Sequence, residues 1–300
     1  MRISYWPSPS LPWQELLSLC RHAEETGWDG IWYADHFMPA GGDLSQPYGE
    51  AWTTLAALAA SVPRVRIGAM VTGNTYRHPA VLANMAATVD HVSGGRCVLG
   101  LGAGWQQNEH EAYGLEFSTV GGRLARLEEA CQVIRALFEQ ERADFEGRFY
   151  RLREAPMEPK PLQSPLPLLI GGGGEKVTLK IAARYADEWN YWGDVETIRH
   201  KMTVLDGHCR DVGRDPAAIQ RSAQALVFLS DDADFVAGVK ERQHRMPTLA
   251  GDVGELRETL AAYAEAGLDE FVLPDFNLGS REQKLPILDR FIDEVAPAVR

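Results

Sequence analysis

The chain has 300 residues, 30 Lys and Arg against 42 Asp and Glu, a formal charge of −12 and 45% apolar residues, the composition of a folded globular protein. The acidic balance opposes a phosphate backbone and excludes nucleic acid as a partner. No apolar run approaches the ~20 residues that span a bilayer, and the first residues carry neither the charged nor the apolar region of a secretory leader, so the expected location is cytoplasmic, away from membranes.

Arg2–Trp6 is a short apolar block ended by Pro7 and Pro9. Trp13, Leu16, Leu17 and Cys20 then recur at the spacing of one helix face. Gly27 stands where a helix end takes a left-handed residue, and Ile31, Trp32 and Tyr33 form a run of β-formers too short for a helix. The strand-helix-strand unit repeats: a helix over Ala51–Ala60 leads to Val65–Val71, and a helix with Leu82, Met85, Ala86 and Val89 leads to Cys97–Leu101. A helix with Leu124, Leu127, Cys131 and Ile134 precedes Leu168–Ile170. Val177, Ile181 and Ala182 mark the next helix and Trp189–Trp192 the next strand. The remainder reads as a strand over Ala223–Leu229, a helix with Leu256, Leu260 and Tyr263, a strand at Phe271–Leu273 and a helix with Leu288, Phe291, Ile292 and Val295.

About eight strands thus alternate with about eight helices, and the strands are unbroken apolar blocks, as in parallel sheets covered on both faces. An open doubly wound sheet and a closed barrel both satisfy this. The joints Gly27-Trp28-Asp29 and Gly267-Leu268-Asp269 match, which suits a ring in which first and last strands pair, so a (β/α)8 TIM barrel is the expected fold. Asp144–Pro167, with Phe145, Phe149 and Tyr150 around Gly147 and then five prolines, reads as a hairpin and extended arm inserted before the fifth strand, within one domain spanning residues 1–300.

In such a barrel the site lies at the C-terminal strand ends, which singles out Asp35 and His36; Met70, Val71, Thr72 and Asn74; Gly102, Ala103, Gly104 and Trp105; Gly171 to Gly174; Asn190; and Asp275. Asp35 beside His36 either tunes a proton donor or caps a loop beside a half-exposed imidazole. Glycines at 100, 102 and 104 either clear one face for a flat ring or admit a neighbouring strand. Gly171 to Gly174 either cradle a phosphate or make a tight turn. A P-loop spacing and a dinucleotide fingerprint after the first strand are both lacking. Glu109, His110 and Glu111 lack zinc-site spacing, and Cys20, Cys97, Cys131 and Cys209 are scattered, so no metal site is expected and the thiols are expected in the core.

The stretches AEETGWDGIWYADHF (Ala23–Phe37), RIGAMVTGNTYRHPAVLANMAATVDHVSGGR (Arg66–Arg96), LGLGAGWQQNEHEAYG (Leu99–Gly114), FEGRFY (Phe145–Tyr150) and PLLIGGGGEKVTLKIAARYADEWN (Pro167–Asn190) together resemble the luciferase-like monooxygenase superfamily, in its branch of oxidoreductases using the deazaflavin coenzyme F420. The resemblance implies a bacterial luciferase-like TIM barrel, usually a homodimer, with the deazaflavin across the strand ends and a non-proline cis peptide behind it, here Met70–Val71. It puts Asp35, Met70 and Val71 near the ring, Ala103, Gly104 and Trp105 beside it, Asn108 at the polar tail and Gly171, Gly172 and Gly173 at the phosphate. His36 matches a histidine lying over the ring. Trp105 is a departure: the sugar-phosphate dehydrogenases of this branch carry an acid glutamate there, which argues against their substrate. The implied chemistry is hydride transfer between deazaflavin C5 and a small organic substrate, with His36 as the proton-handling catalytic group. An FMN-dependent monooxygenase served by a separate reductase, and a non-catalytic flavin-binding protein, are the alternatives.

Overall fold

A computed structural model describes residues 1–300. In chain order its elements are β1 (Arg2–Trp6), α1 (Trp13–Glu25), β2 (Gly30–Tyr33), α2 (Ala51–Ser61), β3 (Arg66–Ala69), β4 (Thr72–Gly73), α3 (Pro79–Ser93), β5 (Cys97–Gly102), α4 (Gln107–Tyr113) and α5 (Val120–Glu139). There follow β6 (Ala143–Glu146), β7 (Arg151–Ala155), β8 (Leu168–Gly171), α6 (Thr178–Tyr185), β9 (Glu188–Trp192), α7 (Val195–Asp211), β10 (Gln220–Gln224), β11 (Leu226–Leu229), α8 (Ala233–Glu241), β12 (Thr248–Gly251), α9 (Val253–Glu265), β13 (Glu270–Pro274) and α10 (Arg281–Arg290).

The main sheet runs β3-β2-β1-β13-β10-β9-β8-β5-β4, and a β3–β5 pairing closes it. Because β4 merely continues β3, the result is an eight-stranded parallel barrel ringed by helices. First and last strands pair, Arg2 opposite Glu270. The matched joints explain how: Gly27 and Gly267 both take positive φ, 89° and 95°. The aspartate after each then accepts a backbone N–H from the adjoining strand, Ile3 to Asp29 and Arg221 to Asp269, both at 2.7 Å.

Two bodies of apolar side chains result. The larger lies between strands and helices and includes all four cysteines, which are free and buried. The smaller fills the barrel with Trp6, Trp32, Ala34, Met70, Val98, Leu169 and Val272. At the N-terminal mouth, Arg66 bonds Glu188 and Glu270 (3.0 Å to the latter), Arg2 reaches Glu270 at 3.3 Å, and the Trp32 indole donates to Glu270 at 2.8 Å. The interior is therefore sealed below and open only at the other end.

The expected single strand over Ala223–Leu229 is two. β10 stays in the barrel, and after Ala225 the chain leaves it so that β11 pairs in parallel with β12 in a separate two-stranded sheet. Residues 226–229 alternate between half-buried and buried, the pattern of a sheet covered on one face, which an all-apolar letter string conceals. The helix after the glycine run begins at Thr178, so Val177, expected on its face, stands just before it as the N-cap. The short helix α4 had no counterpart among the expected elements. Between α5 and β8, β6 and β7 form an antiparallel hairpin whose turn is held by Glu129, accepting from the amides of Arg148, Phe149 and Tyr150 at 2.8, 2.8 and 3.2 Å. No helix is long and apolar enough to cross a membrane.

Candidate active site

A cavity of about 680 Å³ opens at the C-terminal ends of the strands, the size and place of a cofactor or small-molecule site. Of the candidates, His36, Met70, Val71, Ala103, Gly104, Trp105, Gly171 and Gly172 line it, whereas Asp35, Asn108 and Gly173 do not.

One wall is made of missing side chains. The Met70–Val71 peptide is cis, as the resemblance implied. A Cβ at Gly102 or at Gly171 would stand 2.8 Å from the same Val71 Cγ2, so only glycine lets these two strand ends lie against that side chain. Gly172 adopts φ 126° and is fixed on both sides, its N–H donating to the Asn190 carbonyl at 3.0 Å and its carbonyl accepting from the Trp189 indole at 2.9 Å. From Gly173 to Thr178 the backbone N–H groups donate to nothing within the chain, and they lead into α6. Such a run of unspent donors before a helix suits a phosphate. Gly173 serves this loop from underneath, pressed on the Tyr191 ring, where a Cβ would come within 2.5 Å.

The opposite wall is aromatic. Trp6 packs on Trp192 and Phe276 with ring centroids 5.7 and 5.2 Å apart, and all three line the cavity. Three other tryptophans divide by role. Trp105 lies 65% exposed at the rim, edge-on to His36 at 5.4 Å, while Trp52 and Trp189 are buried scaffolds whose indoles bond Thr72 Oγ1 and the Gly172 carbonyl. Polar groups enter from β9 and β10: the Asn190 amide donates to Ser222 Oγ at 2.9 Å and Gln224 Oε1 at 2.7 Å.

His36 hangs from the end of β2 with its Nδ1 2.8 Å from Glu109 Oε1. Glu109, fully buried on α4, also accepts from the Phe37 amide at 2.8 Å and from the Tyr76 hydroxyl. Burial pushes the Glu109 carboxyl up, but these donors outweigh it and hold it below the usual carboxylate range. Burial, reinforced by Glu109, raises the Tyr76 hydroxyl well above its ordinary value. Glu109 and Tyr76 border His36 without being disclosed by the sequence: Glu109 lies 73 positions from His36, and its letters bear only on the zinc-site spacing that they lack. Its one visible signal is its place in the segment that follows β5, four positions beyond Trp105.

Asp35 turns away from the cavity. Its two oxygens accept from Arg77 at 2.6 and 3.1 Å, and Arg77 also bonds Glu50, the N-cap of α2. Burial raises the Asp35 carboxyl above its ordinary value even against Arg77. Asp35 thus ties the end of β2 to the segment before α3 and leaves His36 to face the cavity. Asn108 donates to the Pro39 carbonyl at 3.1 Å and pins the loop after β2. Asp275 is closed off by Lys284, Tyr5 and the Ser8 amide, and takes no part. The β6–β7 hairpin touches the site's edge, Tyr150 Oη accepting from Asn74 at 3.1 Å.

The family model described as luciferase-like monooxygenase matches residues 1–237. The F420-dependent glucose-6-phosphate dehydrogenase of Segniliparus rotundus is 36% identical over 326 aligned positions, covering 96% of this chain and 94% of that protein. That of Amycolatopsis mediterranei is 38% identical over 178 residues, 58% of this chain, and there the alignment spans only 52% of the relative's length. Among solved structures, an F420-dependent secondary alcohol dehydrogenase in complex with an F420–acetone adduct superposes with a TM-score of 0.86 at 25% identity, covering 100% of this chain and 99% of that one.

Proposed function

The chain belongs to the luciferase-like monooxygenase family, and from that footing we propose that it is an F420-dependent oxidoreductase that moves a hydride between the deazaflavin and a small organic substrate. The observation that carries this is the glycine wall with its run of free N–H groups: a flat face at Gly102, Gly171 and Gly172 beside Val71, continued by unspent donors from Gly173 to Thr178. A planar ring on a phosphate-bearing tail fits both parts. Relatives at 36% identity across nearly the whole chain carry F420 in their names, which supports this cofactor over FMN.

When bound, F420 supplies a hydride acceptor or donor at C5 of its ring. The chain's own residues do the rest. Val71 and the strand-end glycines shape the face against which a ring rests, and Trp189 and Asn190 hold the Gly172 peptide that begins the phosphate loop. Trp6, Trp192 and Phe276 offer an apolar wall across the cavity that excludes water. His36 presents Nε2 to take the proton from a substrate hydroxyl, or to return it to a carbonyl oxygen. With Trp105 at the rim there is no carboxylate on the cavity lining, so a sugar-phosphate reaction using a second acid is not part of the proposal. A homodimer is the expected assembly, tested by light scattering.

Titrating F420 and FMN separately while following tryptophan fluorescence tests the function, with micromolar affinity expected for F420. FMN binding without F420 binding would make the protein a flavin monooxygenase instead, and binding without turnover of any alcohol or ketone would leave a carrier protein.

A further inference from the structure

The bonds around His36 carry more than its presence in the cavity: we propose that Glu109 and Tyr76 are positioning residues that fix one hydrogen on His36 Nδ1 and leave Nε2 as the atom that exchanges a proton with the substrate. The inference rests on the function proposed above.

Glu109 is buried from solvent, and the one partner that can meet it as a cation is His36; no Lys or Arg pairs with it. Its Oε1 receives His36 Nδ1 and the Tyr76 hydroxyl, and its Oε2 receives the Phe37 amide. Three convergent donors keep a buried carboxylate ionised without a permanent cation. An ionised carboxylate only accepts, so the hydrogen in the Nδ1–Glu109 contact belongs to the imidazole. The other nitrogen of a neutral imidazole is then an acceptor. Nε2 has no partner in the chain, and the ring borders the cavity.

Taking a proton at Nε2 turns the ring into a cation against Glu109, and releasing it restores the neutral tautomer, so the unit serves either direction of transfer. Tyr76 lies 3.4 Å from Nδ1, but its hydrogen goes to Glu109, which makes it a brace and not a relay. The other charged groups nearby are occupied or farther off. Asp35 and Glu50 both engage Arg77, and His110 bonds the Gln106 carbonyl and the Thr75 hydroxyl. Tyr48 and Arg245 border the same cavity without a bond to His36.

The test uses the full chain labelled with 15N-histidine, without ligand, titrated by long-range proton–nitrogen NMR, with His36→Asn identifying the signal. The neutral form should carry its hydrogen on Nδ1. Glu109→Gln should lower the His36 midpoint by at least about one pH unit, and Glu109→Asp, which keeps the charge, should recover most of that shift. Tyr76→Phe should raise the midpoint by less, because one donor fewer leaves more negative charge facing the ring. An unmoved midpoint in Glu109→Gln, or a neutral form protonated on Nε2, overturns the assignment. Should Glu109→Gln fail to fold, a wild-type neutral form protonated on Nε2, or a midpoint that does not rise in Tyr76→Phe, overturns it equally. F420 affinity of Glu109→Gln should stay within about threefold of wild type. Because the titration needs no cofactor, failure of F420 to bind would overturn the proposed function separately.

Discussion

A single methyl group placed on the glycine wall tests the site's geometry. In Gly171→Ala the new Cβ would lie 2.8 and 2.9 Å from Val71 Cγ2 and Cγ1, roughly 1 Å inside comfortable carbon–carbon contact. The backbone of Gly171 is not left-handed, so the penalty comes from overlap and not from φ. Val71 is half-buried with the cavity in front of it, and it can yield only by swinging into the space assigned to the ring. Overpacking of this kind costs about 1–3 kcal/mol, or about 2–6 °C in melting temperature for a chain of this size. F420 affinity should fall at least about tenfold, equivalent to ~1.4 kcal/mol. Val71→Ala removes both Cγ atoms, so the double variant should melt like Val71→Ala alone. Gly102→Ala, which meets the same Cγ2 at 2.8 Å, should be rescued in the same way. Gly173→Ala collides with the Tyr191 ring instead and should not be rescued. Thermal melts and fluorescence titrations of this set decide the matter, and a Gly171→Ala penalty that is the same with and without Val71 refutes the reasoning.

Arg66→Met leaves buried Glu188 without its ion-pair partner and Glu270 with Arg2 alone and should cost about 3–5 kcal/mol. Burial already raises the Glu188 carboxyl against the pull of Arg66, and losing Arg66 raises it further. Protonation then relieves the variant at low pH, and the loss should grow as pH rises through the raised folded-state value; equal losses in urea melts at low and high pH refute this. Trp105→Ala removes a ring that is 65% exposed, so stability should stay within about 0.5 kcal/mol while the F420-dependent change in tryptophan fluorescence shrinks; a loss of stability well beyond that shows the ring is part of the core. Asn190→Leu strands the Gln224 side chain that it now bonds at 2.7 Å and should cost about 1–3 kcal/mol, read by chemical denaturation.

The fold was legible wherever one local rule decided an element. Gly27 and Gly267 are left-handed because a helix must end and turn into a strand within a few residues, and the aspartates that follow are placed to bind the neighbouring strand. That repeated chemistry made barrel closure readable from letters alone. Where burial on one face or two decided the outcome, letters failed: Leu226–Leu229 is as apolar as any barrel strand, yet it belongs to β11 outside the barrel. The site divides in the same way. Glycines at strand ends advertise themselves because nothing else fits there. Glu109 does not, because its meaning lies in donors supplied by His36, Phe37 and Tyr76 from two other segments. Asp35 misled for the converse reason: adjacency to His36 suggested a shared role, but successive residues at a strand end point to opposite sides, and Asp35 went to Arg77.

The pH dependence of turnover follows from what lines the cavity. No Asp, Glu, Cys or Lys does so. Arginine stays charged at any working pH, and tyrosines ordinarily titrate far above neutrality. Burial pushes Tyr48 up to about 12 and Tyr76 higher still, so both remain protonated donors. Glu109, held low by its donors, stays ionised on the acid side of neutrality. Imidazole as a side-chain class ordinarily changes charge near neutrality, and His36 is the one imidazole on the lining. The logarithm of kcat/KM should bend once between pH 5 and 9, not twice. The sign identifies the direction of the proton: oxidation of a hydroxyl needs neutral Nε2, so the rate rises with pH, whereas reduction of a carbonyl needs the imidazolium, so the rate falls. In Glu109→Gln the bend should move to lower pH, because the ring loses the anion that favours its charged form. A bell with two bends in that interval would mean that a second acid enters the cavity with the substrate or on closing of a loop, and the assignment of proton transfer to His36 alone would fall.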